Sequence, residues 1–219
     1  LFSGTAITQI DEDFFSRNTE LTDCSIIFSN GKLKTVPEKL FANNKKVTTF
    51  NSLFANSESF EFVPAGLFAN NPEVDSFRML FSGTSLKSVP DGLFANNHKV
   101  TNFQSAFSKT AIQSVPADLF AGCGKVTTFM SCFTGCSELQ SVPAELFKSS
   151  GAFTTVTKTA FNNIFKDCAS LTEVPAGLFD GFTLVTAFND AFNGCASLTT
   201  LPAGLFATNT AVTSFTNVF

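Results

Sequence analysis

A hydrophobic residue followed by proline recurs along this chain, at Val36-Pro37, Val63-Pro64, Val89-Pro90, Val115-Pro116, Val142-Pro143, Val174-Pro175 and Leu201-Pro202. The steps between successive prolines are 27, 26, 26, 27, 32 and 27 residues, and Ile10-Asp11, 26 residues before Pro37, reads as a degenerate eighth copy. A period this regular means that one structural unit is copied and stacked, because residues at one phase of the period then lie above one another. The spacing predicts a repeat solenoid of about eight coils of 26–27 residues, one coil per period. Two short parallel strands per coil are expected, one over L-x-x-V (Leu86 to Val89) and one over V-T-x-F (Val100 to Phe103). Threonine and β-branched residues favour strands, and proline ends a ladder. The i,i+4 pair Phe77 and Phe81 predicts a short helix between strands, and the P-A-G-L-F segment a helical or 3₁₀ turn.

The phenylalanines follow the same phase. Of 29 in the chain, eight sit four residues after the proline position, from Phe15 to Phe206. Seven lie on the V-T-x-F segment, from Phe50 to Phe215, where the first copy has Cys24; nine lie four residues further on, from Phe2 to Phe219. These 24 predict three internal ladders of rings. Phe14 and Phe60 replace leucines of the repeat, and only Phe62, Phe153 and Phe182 fall outside the pattern. Each buried ring contributes ~2 kcal/mol or more and needs no hydrogen-bond partner, which suits a narrow dry interior. The absence of Tyr and Trp fits such a core.

Composition narrows the functional classes. A net charge of -4 gives no footprint for nucleic acid, so no nucleic-acid partner is expected. No apolar run approaches the ~20 residues of a transmembrane helix. His98 is the only histidine, which excludes multi-histidine metal sites, and it reads as a solvated loop residue beside Asn97. Carboxylates are scattered without a recurring pair, and no Gly-rich phosphate loop is present. No enzyme activity, metal or cofactor is expected.

Cys136, Cys168 and Cys195 share a phase with Ser57, Thr84 and Thr110, which predicts a tight buried position for a small side chain. Parallel stacking directs such side chains alike and disfavours disulfides between neighbouring coils. Asn18, Asn44, Asn71, Asn97 and Asn209 share another phase and predict a ladder that satisfies turn backbone groups. The candidate binding surface is the exposed strand face, represented by Thr48, Thr49, Thr101, Asn102, Thr127 and Thr128. Asp75, Asn102 and Ala187 interrupt what would otherwise be a flat threonine lattice of the ice-binding kind. The single long period carries five extra residues within Lys148 to Ala160, so Lys148, Ser149, Ser150 and Phe153 are added as candidate contacts.

The stretch Val126-Thr127-Thr128-Phe129 followed by Phe133-Thr134-Gly135-Cys136-Ser137, Leu139 and Val142-Pro143 resembles the BspA-like leucine-rich repeat. So does Val185-Thr186-Ala187-Phe188 with Phe192-Asn193-Gly194-Cys195 and Leu198. That family's repeat carries a V-T-S-I strand, an A-F-x-x-C turn and an L-x-x-I-x-I-P strand. This chain departs from it by inserting L-F-A-N-N between proline and V-T and by using Phe where Ile is usual. The resemblance implies a leucine-rich-repeat-like β/α solenoid and a secreted or bacterial cell-surface location. It also implies a non-enzymatic scaffold for adhesion or protein binding, with a host matrix protein or a second copy of the chain as partner. The alternative is a structural spacer or a self-assembling rod with end-to-end stacking. Residues 1–219 read as one solenoid domain, with units near 1–28, 29–54, 55–81, 82–107, 108–133, 134–165, 166–192 and 193–219. Leu1-Phe2-Ser3-Gly4-Thr5 copies Leu80-Phe81-Ser82-Gly83-Thr84, so the chain is expected to be a fragment of a longer repeat array.

Overall fold

Where each backbone N–H finds an acceptor explains how the coils are built, since a buried unpaired amide costs about as much as a lost hydrogen bond. In a computed structural model that describes residues 1–148 and 156–219, the stretch from Thr48 to Ser57 shows the rule. Thr48 N–H donates to Thr22 O of the preceding coil at 2.8 Å. Phe50, Ser52, Phe54 and Asn56 donate in turn to Ser76, Arg78, Leu80 and Ser82 of the following coil, at 2.7–3.2 Å. The amides between them close β-turns, Leu53 onto Phe50, Ala55 onto Ser52 and Ser57 onto Phe54, at 3.1–3.2 Å. Asn51 N–H is satisfied by Thr49 Oγ1 at 3.2 Å. Alternate peptides therefore bond between coils, and the rest bond within one.

This corrects the expected helix over Phe-x-x-x-Phe. Among the described residues there is no helix, and the segment is a run of β-turns with left-handed residues four apart, such as Ser52 (φ 55°) and Asn56 (φ 57°). A helical segment aims its amides along itself at residue i−4; a left-handed residue every fourth position redirects alternate peptides toward the neighbouring coil. Two successive four-residue turns still return Phe50 and Phe54 to the same inner side, and both are fully buried. The spacing is helical in period only. The P-x-x-L-F segment is likewise a chain of turns, with Leu40 N–H on Pro37 O at 3.2 Å and Ala42 N–H on Lys39 O at 2.9 Å.

The strands are shorter than expected. V-T-x-F contributes parallel bridges of single residues, Asp23 to Thr49, Thr49 to Ser76, Ser76 to Asn102, Asn102 to Thr128, and then Ala187 to Ser214. At L-x-x-V the coils are joined more sparsely, as by Glu61 N–H on Lys34 O at 2.9 Å and Gln140 N–H on Gln113 O at 3.0 Å.

The core is the predicted set of phenylalanine columns. Phe2, Phe28, Phe54, Phe81, Phe107, Phe133, Phe165, Phe192 and Phe219 stack with centroids 5.6–5.8 Å apart. Phe50, Phe77, Phe103, Phe129, Phe161, Phe188 and Phe215 form a second column at 5.7–6.2 Å. The third column leans into the second with tilted rings, as Phe68 does on Phe77 at 4.9 Å. These separations lie in the range where offset and edge contacts of aromatic quadrupoles are favourable. Phe60, in a leucine position, joins the core 4.1 Å from Phe54, whereas off-pattern Phe62 is 53% exposed under the Lys87 ammonium.

The five extra residues of the long coil fall in two places. Three lie between Phe147 and Val156, which are nine residues apart where other coils have six. Two lie between Val156 and Phe161, five apart instead of three, and form a β-turn closed by Ala160 N–H on Thr157 O at 3.1 Å.

Candidate functional site

The bridged segments place one phase of polar side chains on an outer face, over the first five coils from Thr22 and Asp23 to Thr127 and Thr128. Most of these groups already serve the backbone. Thr48, Thr101 and Thr127 donate their hydroxyls to Thr22 O, Asp75 O and Thr101 O at 2.9–3.2 Å. Thr49, Asn102 and Thr128 accept the N–H two residues on, at 2.8–3.2 Å. Such local bonds are the usual role of hydroxyl and amide side chains beside turns. The outward lone pairs and methyl groups remain for contact, and Thr48 is exposed while the other five are half-buried. The hydroxyl protons of Thr48, Thr101 and Thr127 point at carbonyls of the solenoid, which leaves these three no donor for an ordered water lattice.

The structure brings Thr48, Thr49, Thr101, Asn102, Thr127 and Thr128 together on one face. Lys148 is exposed and ion-paired with Glu145 at 3.2 Å, at a different phase of the repeat. Ser149, Ser150 and Phe153 lie outside the described residues. The residues that protrude from the strand face of the long coil are Thr157, Lys158 and Thr159, all exposed. The five-residue excess pointed to this coil; comparing V-T-x-F spacing coil by coil would have separated these residues from the rest.

Charged groups bordering the face are paired along the stack. Lys46 meets Glu20 and Lys99 meets Glu73, each at 2.6 Å, one coil apart at a single phase. Along the L-x-x-V segments Lys87 bonds Glu61 at 2.7 Å and holds its carboxyl below the usual range, with Lys34 adding to the effect.

The two buried polar ladders are structural. Asn44, Asn71 and Asn97 each donate both amide hydrogens to two carbonyls of the preceding coil, at 2.8–3.1 Å. Asn209 does the same toward Phe179 and Phe182, at 2.9 and 3.2 Å. Cys123 takes the place of an asparagine, its thiol 3.8 Å from Phe94 O and Asn97 O. In the other ladder Cys136, Cys168 and Cys195 donate to Phe107, Phe133 and Phe165 carbonyls at 3.0–3.1 Å, as the Ser57 hydroxyl does to Phe28 O. All six cysteines are free thiols. Burial pushes Cys24 up to about 12, with Asp23 adding, and Cys136 up to about 11; Cys168 rises further beside Cys136 and Cys195. A nucleophilic or metal-binding cysteine needs a stabilised thiolate, which these positions oppose. Among the described residues no group of three or more His, Cys, Asp and Glu side chains is placed to hold a metal ion. Among them, too, no helix is long and apolar enough to cross a membrane. His98 bonds through Nδ1 to Gly122 O at 2.9 Å on the surface.

Comparison with protein-family models and with curated protein sequences finds no match. Among solved structures the chain is similar to the leucine-rich repeat domain of the type III effector XopL, with a TM-score of 0.68 at 13% identity. That match covers 97% of this chain and 66% of the XopL chain. It is also similar to a chain of the Toll–Spatzle complex of Drosophila, TM-score 0.60 at 20% identity, covering 96% of this chain. The chain spans 25% of the length of that Drosophila protein. Identities this low speak to fold alone: the chain is a repeat solenoid of the leucine-rich-repeat type.

Proposed function

We propose that this solenoid is a non-enzymatic scaffold that binds a protein partner along its bridged strand face. The observation that carries the reading is the continuous face itself. Polar side chains from Thr22 to Thr128 are held in register by inter-coil bridges and hydroxyl-to-carbonyl bonds. A rigid, extended surface of pre-ordered side chains lowers the entropy that binding must overcome. The Toll–Spatzle structure, a complex of two proteins, supports protein recognition as a use of this fold. The BspA-like resemblance of the Val126 to Pro143 stretch supports a secreted or cell-surface bacterial adhesin, with a host matrix protein as the partner.

The test is binding of immobilised fibronectin, fibrinogen and laminin to the whole chain, with Thr101→Glu/Thr127→Glu as the face variant. Micromolar affinity that drops at least tenfold in the variant, with an unchanged circular dichroism spectrum, is the expected result. No affinity at micromolar concentration removes the adhesion reading; affinity that the variant leaves intact removes this face as the site.

A further inference from the structure

We propose that the outer side of the first four L-x-x-V segments is a docking surface for an acidic peptide segment of a partner protein, anchored on Phe62. The residue before the buried valine position is Gln9, Thr35, Ser88, Ser114, Ser141, Glu173 or Thr200 in the other seven coils, polar every time. The third coil alone puts a ring there. Phe62 is 53% exposed although described coils flank it on both sides. Single apolar side chains on a surface are ordinary, so the case rests on what surrounds this one.

The ring is held in place. Phe62 N–H and Glu61 N–H both donate to Lys34 O, at 3.2 and 2.9 Å. The Lys87 ammonium lies 5.8 Å from the ring centroid while bonding Glu61 at 2.7 Å. A pre-ordered aromatic side chain loses little entropy on binding, and such side chains carry much of the energy of protein interfaces.

Beside the ring runs a shallow groove of about 360 Å³, lined by Thr8, Gln9, Ile10, Thr35, Val36 and Pro37. Thr35 stands one coil before Phe62 at the same phase. Ile10, Val36 and Pro37 give the groove an apolar floor that suits a second apolar side chain of the partner.

Charge selects the occupant. The first four L-x-x-V segments carry Lys32, Lys34 and Lys87 against Glu61, a net +2, in a chain of net charge -4. The surface stays positive with exposed Glu58, just before the third segment, included. The last four segments carry Glu138 and Glu173 and no lysine, a net -2, so the same side of the coil is attractive to carboxylates only around Phe62. Lys32 and Lys34 are exposed and outside the ion pairs of the described residues. Toward the proline edge the segments run into Asp11, Glu38 and Asp91. An acidic peptide is repelled from that edge, and so lies along the stack, over the lysines, instead of around a coil. Complementarity of this kind favours one class of partner and disfavours basic ones.

The test is selection of a random twelve-residue phage-displayed peptide library on the whole chain, with counter-selection on Phe62→Ser. Serine is the residue at this position in three other coils, so the variant keeps the repeat. Enriched peptides are expected to combine Asp or Glu with Phe, Leu or Ile and to bind the chain at micromolar concentration. They are expected to lose at least tenfold in Phe62→Ser and at least threefold in Lys34→Gln, with unchanged circular dichroism spectra. A library that yields nothing over the counter-selection overturns the proposal, and so does an enriched set without carboxylates. Thr101→Glu/Thr127→Glu is expected to leave the selected peptides bound; their loss in that variant would move the site to the bridged strand face and sink this one.

Discussion

A left-handed conformation is easiest for Gly, Asn and Asp, and most positions that need it here comply: Asn30, Asn56, Asn163, Asp167, Asp190 and Asn217 among them. Ile26 does not. It is β-branched, 52% exposed, and held at φ 63°. Ile26→Asn removes that strain while giving up little burial, and is expected to stabilise the protein by about 1 kcal/mol in urea unfolding. The thiols give a second residue-scale expectation. With Cys136 raised to about 11 by burial, a thiol reagent at pH 8 meets almost no thiolate there. Cys24, Cys123, Cys132, Cys136 and Cys168 are expected to label only as the chain unfolds, with partly exposed Cys195 labelling first. Labelling of all six at one fast rate in native buffer would show that the columns are looser than this. The small buried cysteine position was legible from its exchange with Ser and Thr. The left-handed turns were not, because an i,i+4 pair of phenylalanines is the mark of a helix and of two consecutive β-turns alike. The distinguishing signal was Asn30, Asn56, Gly83, Gly135 and Gly194 at one phase, a run that favours left-handed backbone.

Within a coil, the asparagine ladder ties the L-F-A-N-N turn to its neighbour by donating twice from a fully buried side chain. Asn71→Ala removes one of the two hydrogen bonds that Phe41 O and Asn44 O accept, leaving each its turn N–H, and is expected to cost about 2 kcal/mol. Asn71→Asp has nearly the same shape but offers acceptors where two carbonyls already point. It is expected to cost more than the alanine at neutral pH and to recover part of the loss as acid protonates the carboxyl. Equal stabilities for the two variants would refute the donor role. The ladder and the three ring columns were legible because recurrence at one phase is enough to place residues above one another. Strand length was not, since β-propensity favours V-T-x-F as a strand without saying how much of it will pair. Phe62 escaped the pattern for a related reason: beside the strand the solenoid has a solvated side, and the ring lies there beneath Lys87.

At the scale of the molecule, the repeat length announced a solenoid, and the long period announced its one irregular coil. The period alone did not say where the excess falls; the V-T-x-F spacing of that coil, five residues from Val156 to Phe161 instead of three, puts two of the extra residues beside the strand segment. A partner gripping the face from Thr48 to Thr128 is expected to slow hydrogen exchange in peptides carrying Thr48, Thr101 and Thr127; exchange there that stays unchanged when the partner is bound would remove this face as the site.

The bonds of the turn segments have one more property. From Phe2 N–H on Ile27 O to Phe192 N–H on Val218 O, they run from each coil to the next in the same sense. Peptide dipoles so aligned add together as they do along an α-helix, but here the axis of addition is that of the stack. The turn strip thus carries a graded potential, more positive toward the later coils, that belongs to the backbone and not to any charged side chain. A ligand lying lengthwise on this side would feel a polarity that the repeated side chains do not supply.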